Sequence, residues 1–157
     1  MWKKIKPYVI SVLIALAVGG LSALLTKGNM DIYDQIVKPK LAPPGFIFPI
    51  VWSILFVLMG ISSAIVYIKA KQELTVQKTG LGVYALQLAV NFFWSILFFN
   101  FQAFLLSFLW LILLWILIVI MIVRFRKISP LAAYLQIPYL AWVTFAGYLN
   151  LMIYMLN

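Results

Sequence analysis

FLLSFLWLILLWILIVIMIV, Phe104–Val123, runs for twenty residues without a charge and is interrupted only by Ser107. As a helix, such a run matches the ~30 Å hydrocarbon core of a bilayer, which takes roughly 20 apolar residues to cross. The stretch is almost wholly aliphatic and aromatic, which predicts broad lipid contact. Trp110 and Trp115 within it are five apart, share no face, and are expected to face lipid. Arg124, Arg126 and Lys127 close the run.

The surrounding chain has the same character. Its 157 residues are 66% hydrophobic and 10% charged, with a mean hydropathy of +1.12, well outside the soluble globular range. That predicts an all-α membrane protein, a single domain of five transmembrane helices over about 7–26, 44–68, 80–101, 103–123 and 130–154. The uncharged link Asn100–Ala103 makes helices 3 and 4 a tight hairpin. Pro130 opens helix 5, and Pro138 is expected to kink it. Helix 1 is too long, and lacks the small-residue cleavage site, for a removable signal peptide. Its Ala15, Gly19 and Ala23 either admit a close helix neighbour or merely leave one side small.

The longest polar connection, between helices 1 and 2, ends in Lys38–Trp52, KPKLAPPGFIFPIVW. Pro39, Pro43 and Pro44 fix φ and remove donors, so this is a stiff connector ending at a helix start. Nine Lys and Arg fall on one side of the predicted topology: the head, the 2–3 loop with Lys69, Lys71 and Lys78, and the 4–5 loop. The other side has Lys27, Lys38 and Lys40. The positive-inside rule then predicts a cytoplasmic N-terminus and a proline-rich connection facing away from the cytoplasm. The net charge of +9 is thereby assigned to topology, not to nucleic acid.

Composition also excludes much chemistry. With no Cys and no His, thiolate catalysis, disulfides, zinc sites and imidazole acid–base work are absent, and no metal or cofactor site is expected. Asp31, Asp34 and Glu73, the only acids, fall in predicted loops, so no carboxylate lies at membrane depth to run a proton relay.

What remains is aromatic and amide. On helix 3, Gln87, Asn91, Trp94 and Phe98 at i, i+4, i+7 and i+11 share one face. Helix 5 offers Pro138, Trp142, Ala146 and Asn150, and helix 2 offers Trp52 and Phe56. Amides in lipid commonly bond across to neighbouring helices. Three helices each presenting a deep aromatic point instead to a pocket for a flat, apolar, polycyclic ligand. Lys38 and Lys40 could neutralise an acidic group on it, with Asp31 and Asp34 tethering the loop.

The pattern Tyr33-Asp34, Lys38-Pro39, Pro43-Pro44-Gly45-Phe46, Phe48-Pro49 and Trp52 continues in Gln87-Leu88-Ala89-Val90-Asn91, Trp94, Phe98-Phe99, Pro138-Tyr139-Leu140-Ala141-Trp142 and Leu149-Asn150. It closely resembles the translocator protein family, also called the peripheral-type benzodiazepine receptor or tryptophan-rich sensory protein family, along nearly the whole chain. The resemblance implies a bacterial member in the cell membrane, a five-helix bundle usually dimeric, and a pocket beneath the helix 1–2 loop. It implies a porphyrin or other polycyclic small molecule as ligand, in sensing, transport or sequestration. Light-dependent porphyrin degradation, or an adaptor acting through a partner protein, are the alternatives.

By position, the implied pocket residues are Tyr33, Pro43, Trp52, Phe56, Gln87, Asn91, Trp94, Trp142 and Ala146. Trp52 and Trp142 match the tryptophans tied to photochemistry in bacterial relatives. Small residues on helix 1, on helix 2 (Gly60, Ala64) and on helix 3 (Gly80, Gly82) are candidate dimer faces. Leu41 and Phe46 stand where relatives often keep tryptophan. The chain lacks the basic residue that follows tyrosine in the sterol pattern of animal members, which counts against high-affinity cholesterol binding.

Overall fold

The structure, a computed structural model, describes residues 1–73 and 79–157, apart from the side chains of Gln72 and Glu73. The predicted 2–3 loop residue Lys78 lies outside the described residues. The chain forms α1 (Trp2–Thr26), a 3-10 turn (Lys27–Asn29), a short α2 (Ile32–Gln35), α3 (Ile47–Glu73), α4 (Leu81–Ser95), α5 (Phe104–Ile128), α6 (Pro130–Leu135) and α7 (Ile137–Leu156). Among the described residues five stretches are long and apolar enough to span a membrane: Trp2–Asn29, Ile47–Lys71, Leu81–Asn100, Phe104–Ile128 and Pro130–Leu156. The fold is an all-helical, multi-pass membrane bundle.

Helix ends depart from the expected ones for physical reasons. α1 begins at Trp2, not Pro7, so the basic head is helical. Pro7 deprives only the exposed Lys3 carbonyl of its partner, a small loss near a helix start. α3 starts at Ile47, after a turn in which the Pro44 and Gly45 carbonyls accept from Ile47 and Phe48. It continues to Glu73, and α5 continues to Ile128, so Lys71, Arg126 and Lys127 sit in last turns, where cations suit the helix dipole.

The fifth span is two helices. Pro138 has no N–H for the Tyr134 carbonyl, and the break falls at Gln136, whose N–H bonds the Ala133 carbonyl at 3.1 Å. Ser129 caps α6 by accepting from Ala132 N–H at 3.3 Å, with Pro130 in the first turn. α4 ends in a π-helical turn, Ile96–Asn100, in which Phe101 N–H reaches the Ile96 carbonyl at 3.1 Å. Gln102, at φ 51°, then turns the chain into α5.

α1 packs along α3 and α5 packs against α4 and α7, around a core that includes Met59, Leu114, Ile118, Phe125 and Val143. Several hydroxyls bond between helices. Ser11 and Ser63 are 2.6 Å apart, Ser22 donates to the Phe92 carbonyl at 3.1 Å, and Ser62 to the Ala132 carbonyl at 2.7 Å. Such bonds keep polar groups satisfied where water is absent.

The small residues expected at a dimer face are mostly spent inside the chain. A Cβ on Gly60 would lie 2.5 Å from Val12 Cα, and one on Gly19 would enter the Phe56 ring. Ala15 and Ala64 are buried. Gly80, at φ 84°, abuts Arg124. Gly82 alone among the named glycines of α3 and α4 faces open space.

Candidate functional site

A cavity of about 590 Å³ opens between α1, α3, α4 and α7 beneath the connection from α1 to α3. The connection contributes Met30, Asp31, Tyr33, Asp34, Gly45 and Phe46 as a roof. Trp52 and Phe56 form the α3 wall. Trp94, with Phe98 and Phe99 from the π turn, forms the α4 wall, and Ala146, Leu149, Asn150 and Ile153 come from α7. The extra residue per π turn sets Phe98 against Trp94 with centroids 5.2 Å apart, stacked, so the wall is a continuous aromatic face.

Of the nine residues predicted for the site, Tyr33, Trp52, Phe56, Asn91, Trp94 and Ala146 line this cavity. Pro43, Gln87 and Trp142 stand behind its lining. Pro43 acts through its carbonyl, which accepts from Tyr33 Oη at 2.7 Å. Gln87 is fully buried, one turn deeper than Asn91. Its Oε1 accepts from Tyr139 Oη at 2.6 Å, and Tyr139 Oη accepts from Asn91 Nδ2 at 2.7 Å. The amide at the cavity floor is therefore fixed by a second amide through one phenol.

Trp142 packs edge-on to Phe48 at 5.8 Å and tilted on Phe145 at 5.6 Å. It lines a separate, shallower apolar groove at the seam of α3 and α7, with Val51, Leu58 and Pro138. Its indole N–H is buried and has no partner among the described residues. Trp94 is anchored the other way: Nε1 donates to Asn150 Oδ1 at 3.1 Å, and Asn150 Nδ2 donates to the Phe104 carbonyl at 2.8 Å.

The two α5 indoles expected to face lipid also differ. Trp115 is exposed, as expected, and donates to Thr144 Oγ1 at 2.9 Å. Trp110 is half-buried against the core and donates to the Val90 carbonyl at 2.6 Å.

The roof charges do local work. Lys38 Nζ donates to the Tyr33 carbonyl at 2.6 Å and lies 4.8 Å from the centroid of the Tyr33 ring, so it braces the roof instead of facing the cavity. Lys40, Asp31 and Asp34 are exposed, the two acids at the cavity rim. Burial, and secondly the Asp34 carboxylate, hold the Tyr33 phenol above its ordinary pKa of 10.0. It therefore stays a hydrogen-bond donor to Pro43 at neutral pH.

Sequence reasoning missed the α1 wall: Leu16, Gly19, Gly20 and Ala23 face the cavity. The small-residue stripe was the available signal, because small side chains leave room for a guest as well as for a helix. Met30, in the connection, and Phe48 were also missed, although Phe48, Trp52 and Phe56 are spaced by four along α3.

The family model described as TspO/MBR family matches residues 11–156. The chain is 39% identical to the tryptophan-rich protein TspO of Chlorobaculum tepidum over 160 aligned positions, covering 100% of this chain and 99% of that protein. It is 37% identical to protein CrtK of Rhodobacter capsulatus, covering 88% of this chain and 85% of that protein. To the translocator protein of Ovis aries it is 35% identical, covering 75% of this chain and 70% of that protein.

Proposed function

Because the chain belongs to the TspO/MBR family, we propose that its roofed cavity binds a porphyrin-type tetrapyrrole or similar flat, apolar, polycyclic molecule in the membrane. The observation that carries this reading is the cavity wall: Trp52, Phe56, Trp94 and Phe98 surround about 590 Å³, within the range of small-molecule sites. Fixed amides, Asn91 and Asn150, offer a few directed polar contacts at the floor. Flat rings stack on such a wall and leave few polar groups unpaired. Sensing, sequestration and transport all begin with this binding step.

Protoporphyrin IX titrated in the dark against intrinsic tryptophan fluorescence tests it. Saturable quenching is expected. Trp52→Phe and Trp94→Phe should each weaken binding by about two- to tenfold, the worth of one aromatic contact. Trp142→Phe, behind Phe48, should change affinity least. Non-saturable quenching, identical in all four proteins, would overturn the reading.

A second reading, light-driven breakdown of the bound pigment, is favoured by one observation: the Trp52 indole at the cavity wall lies 6.1 Å from Tyr139. The absorbing ligand supplies the excitation, an indole in contact with it gives one electron to the excited pigment, and dissolved dioxygen is the oxidant that consumes the resulting radical pair. Under illumination, pigment loss should then depend on Trp52 and exceed that of protoporphyrin in detergent alone. Loss at the detergent rate would leave binding without photochemistry.

A further inference from the structure

Exposed asparagine amides tie the roof at both edges, and at the first the chain itself also runs on from α1. At the α1 edge, Asn29 Nδ2 donates to Asn100 Oδ1 at 2.8 Å, and Asn100 Nδ2 donates to the Leu25 carbonyl at 3.1 Å. That joint ties the end of α1 to the π turn. The middle is one stiff unit, since Tyr33 Oη is bonded to Pro43 and Lys38 to Tyr33, and Pro39, Pro43 and Pro44 restrict φ.

At the far edge, above the buried packing of Tyr33 and Ile36 on Phe98 and Ile153, the hydrogen bonds come from one side chain. Val37 N–H donates to Asn157 Oδ1 at 3.1 Å, and Asn157 Nδ2 donates to the Val37 carbonyl at 2.8 Å. The same Nδ2 donates to the Ile153 carbonyl at 2.8 Å, which seats the amide on the end of α7. A carboxamide meeting both main-chain groups of one residue reproduces the pairing of two peptide units, so it fixes direction as well as distance. Both Val37 and Asn157 are exposed. Water competes for these bonds, so they have little net strength and open more readily than the buried contacts beneath them.

We propose that the Asn157 carboxamide is a latch. Paired with Val37 it holds the roof closed over the cavity; released, it lets the roof swing about the Asn29–Asn100 edge and opens the mouth on the α7 side. Asn157 is thus a positioning residue: it holds Tyr33 and the roof over a ligand without touching the ligand. The ligand part of this proposal rests on the binding reading above, whereas the gating part does not.

The chain has no cysteine, so introduced thiols report cleanly. Ser95 lies on the cavity wall. In purified Ser95→Cys protein, a water-soluble maleimide should label about fivefold faster when Asn157→Ala is added, the order expected for losing two exposed hydrogen bonds at the weak end of their range. Asn157→Asp, which keeps the acceptor for Val37 N–H but loses the donor, should also label faster. Equal rates in all three would overturn the latch.

A separate Val37→Cys, Asn157→Cys protein guards against a variant that merely fails to fold. Oxidised, it should bind and release protoporphyrin IX several-fold more slowly, and a reductant should restore both rates, which a misfolded protein would not show. Labelling that responds to Asn157 in a protein that binds no protoporphyrin keeps the latch and removes the porphyrin reading. Normal binding, with rates unmoved by Asn157 or by oxidation, removes the latch alone.

Discussion

Tyr139 carries more of the site than its position in the sequence announces. It is 1% exposed, and its Oη joins Asn91, which lines the cavity, to Gln87 beneath it. Tyr139→Phe keeps the ring and deletes the bridge, leaving two buried amides each short of a partner. A cost of about 1–3 kcal/mol follows from one unsatisfied buried group, with the lower end favoured in a bilayer setting. Thermal unfolding in detergent should show the loss, and protoporphyrin affinity should fall with it because Asn91 is no longer fixed. Gln87 was visible in the sequence because Gln87, Asn91, Trp94 and Phe98 advance by four, three and four residues, drifting only about 20° around the helix. Trp142 was misplaced for the converse reason: a strict spacing of four from Trp142 to Asn150 drifts about 80°, enough to turn the indole out of the cavity. Tyr33 permits a pH test. Its phenol is held above 10.0, so the folded state favours the protonated form. That contribution is fully present below about pH 10 and lost as pH rises through the higher folded value. The phenolate absorbance assigned by difference from Tyr33→Phe should therefore appear above pH 10, and roof opening with it; ionisation at or below 10 would contradict the burial.

At the scale of elements, the spans were readable because length and apolar composition alone fix them, whereas their ends depended on local competition. The α6–α7 break follows Pro138 yet falls at Gln136, since the lost bond and the steric conflict are felt by the preceding turn. The π turn left no mark in the sequence at all, although it delivers Phe98 and Phe99 to the cavity. The contact between α1 and α3 is the most demanding of the helix pairs. Since Gly60 meets Val12 backbone, which has no flexible end to move aside, Gly60→Val must push the helices apart. We expect a loss of about 2–3 kcal/mol in thermal stability, at the upper end for overpacking, and a widened cavity detectable as faster maleimide labelling of Ser95→Cys. The α4–α5 hairpin offers the opposite sign. Gln102 sits at φ 51°, where a side chain is strained, so Gln102→Gly should be neutral to stabilising by up to about 1 kcal/mol in the same measurement.

Across the whole molecule, charge and cavity define opposite ends. Lys3, Lys4, Lys6, Lys69, Lys71, Arg124, Arg126 and Lys127 gather where α1 begins and α3 and α5 finish, while the roofed mouth is flanked by Lys27, Lys38 and Lys40. Alternation of five spans carries the first group to one side of a bilayer, and the positive-inside rule predicts that side to be cytoplasmic. The roof, with its latch, would then face away from the cytoplasm, so that a ligand reaches the cavity from that side. A membrane-impermeant maleimide applied to intact cells should label Asp31→Cys at the rim and should label Lys127→Cys only after the cells are broken. The substitution at Lys127 removes one charge from a group that retains all its other members, so it leaves the topological bias in place. Labelling of Lys127→Cys in intact cells, with Asp31→Cys protected, would instead open the cavity to the cytoplasm and make the basic residues a contact surface for something other than the inner leaflet.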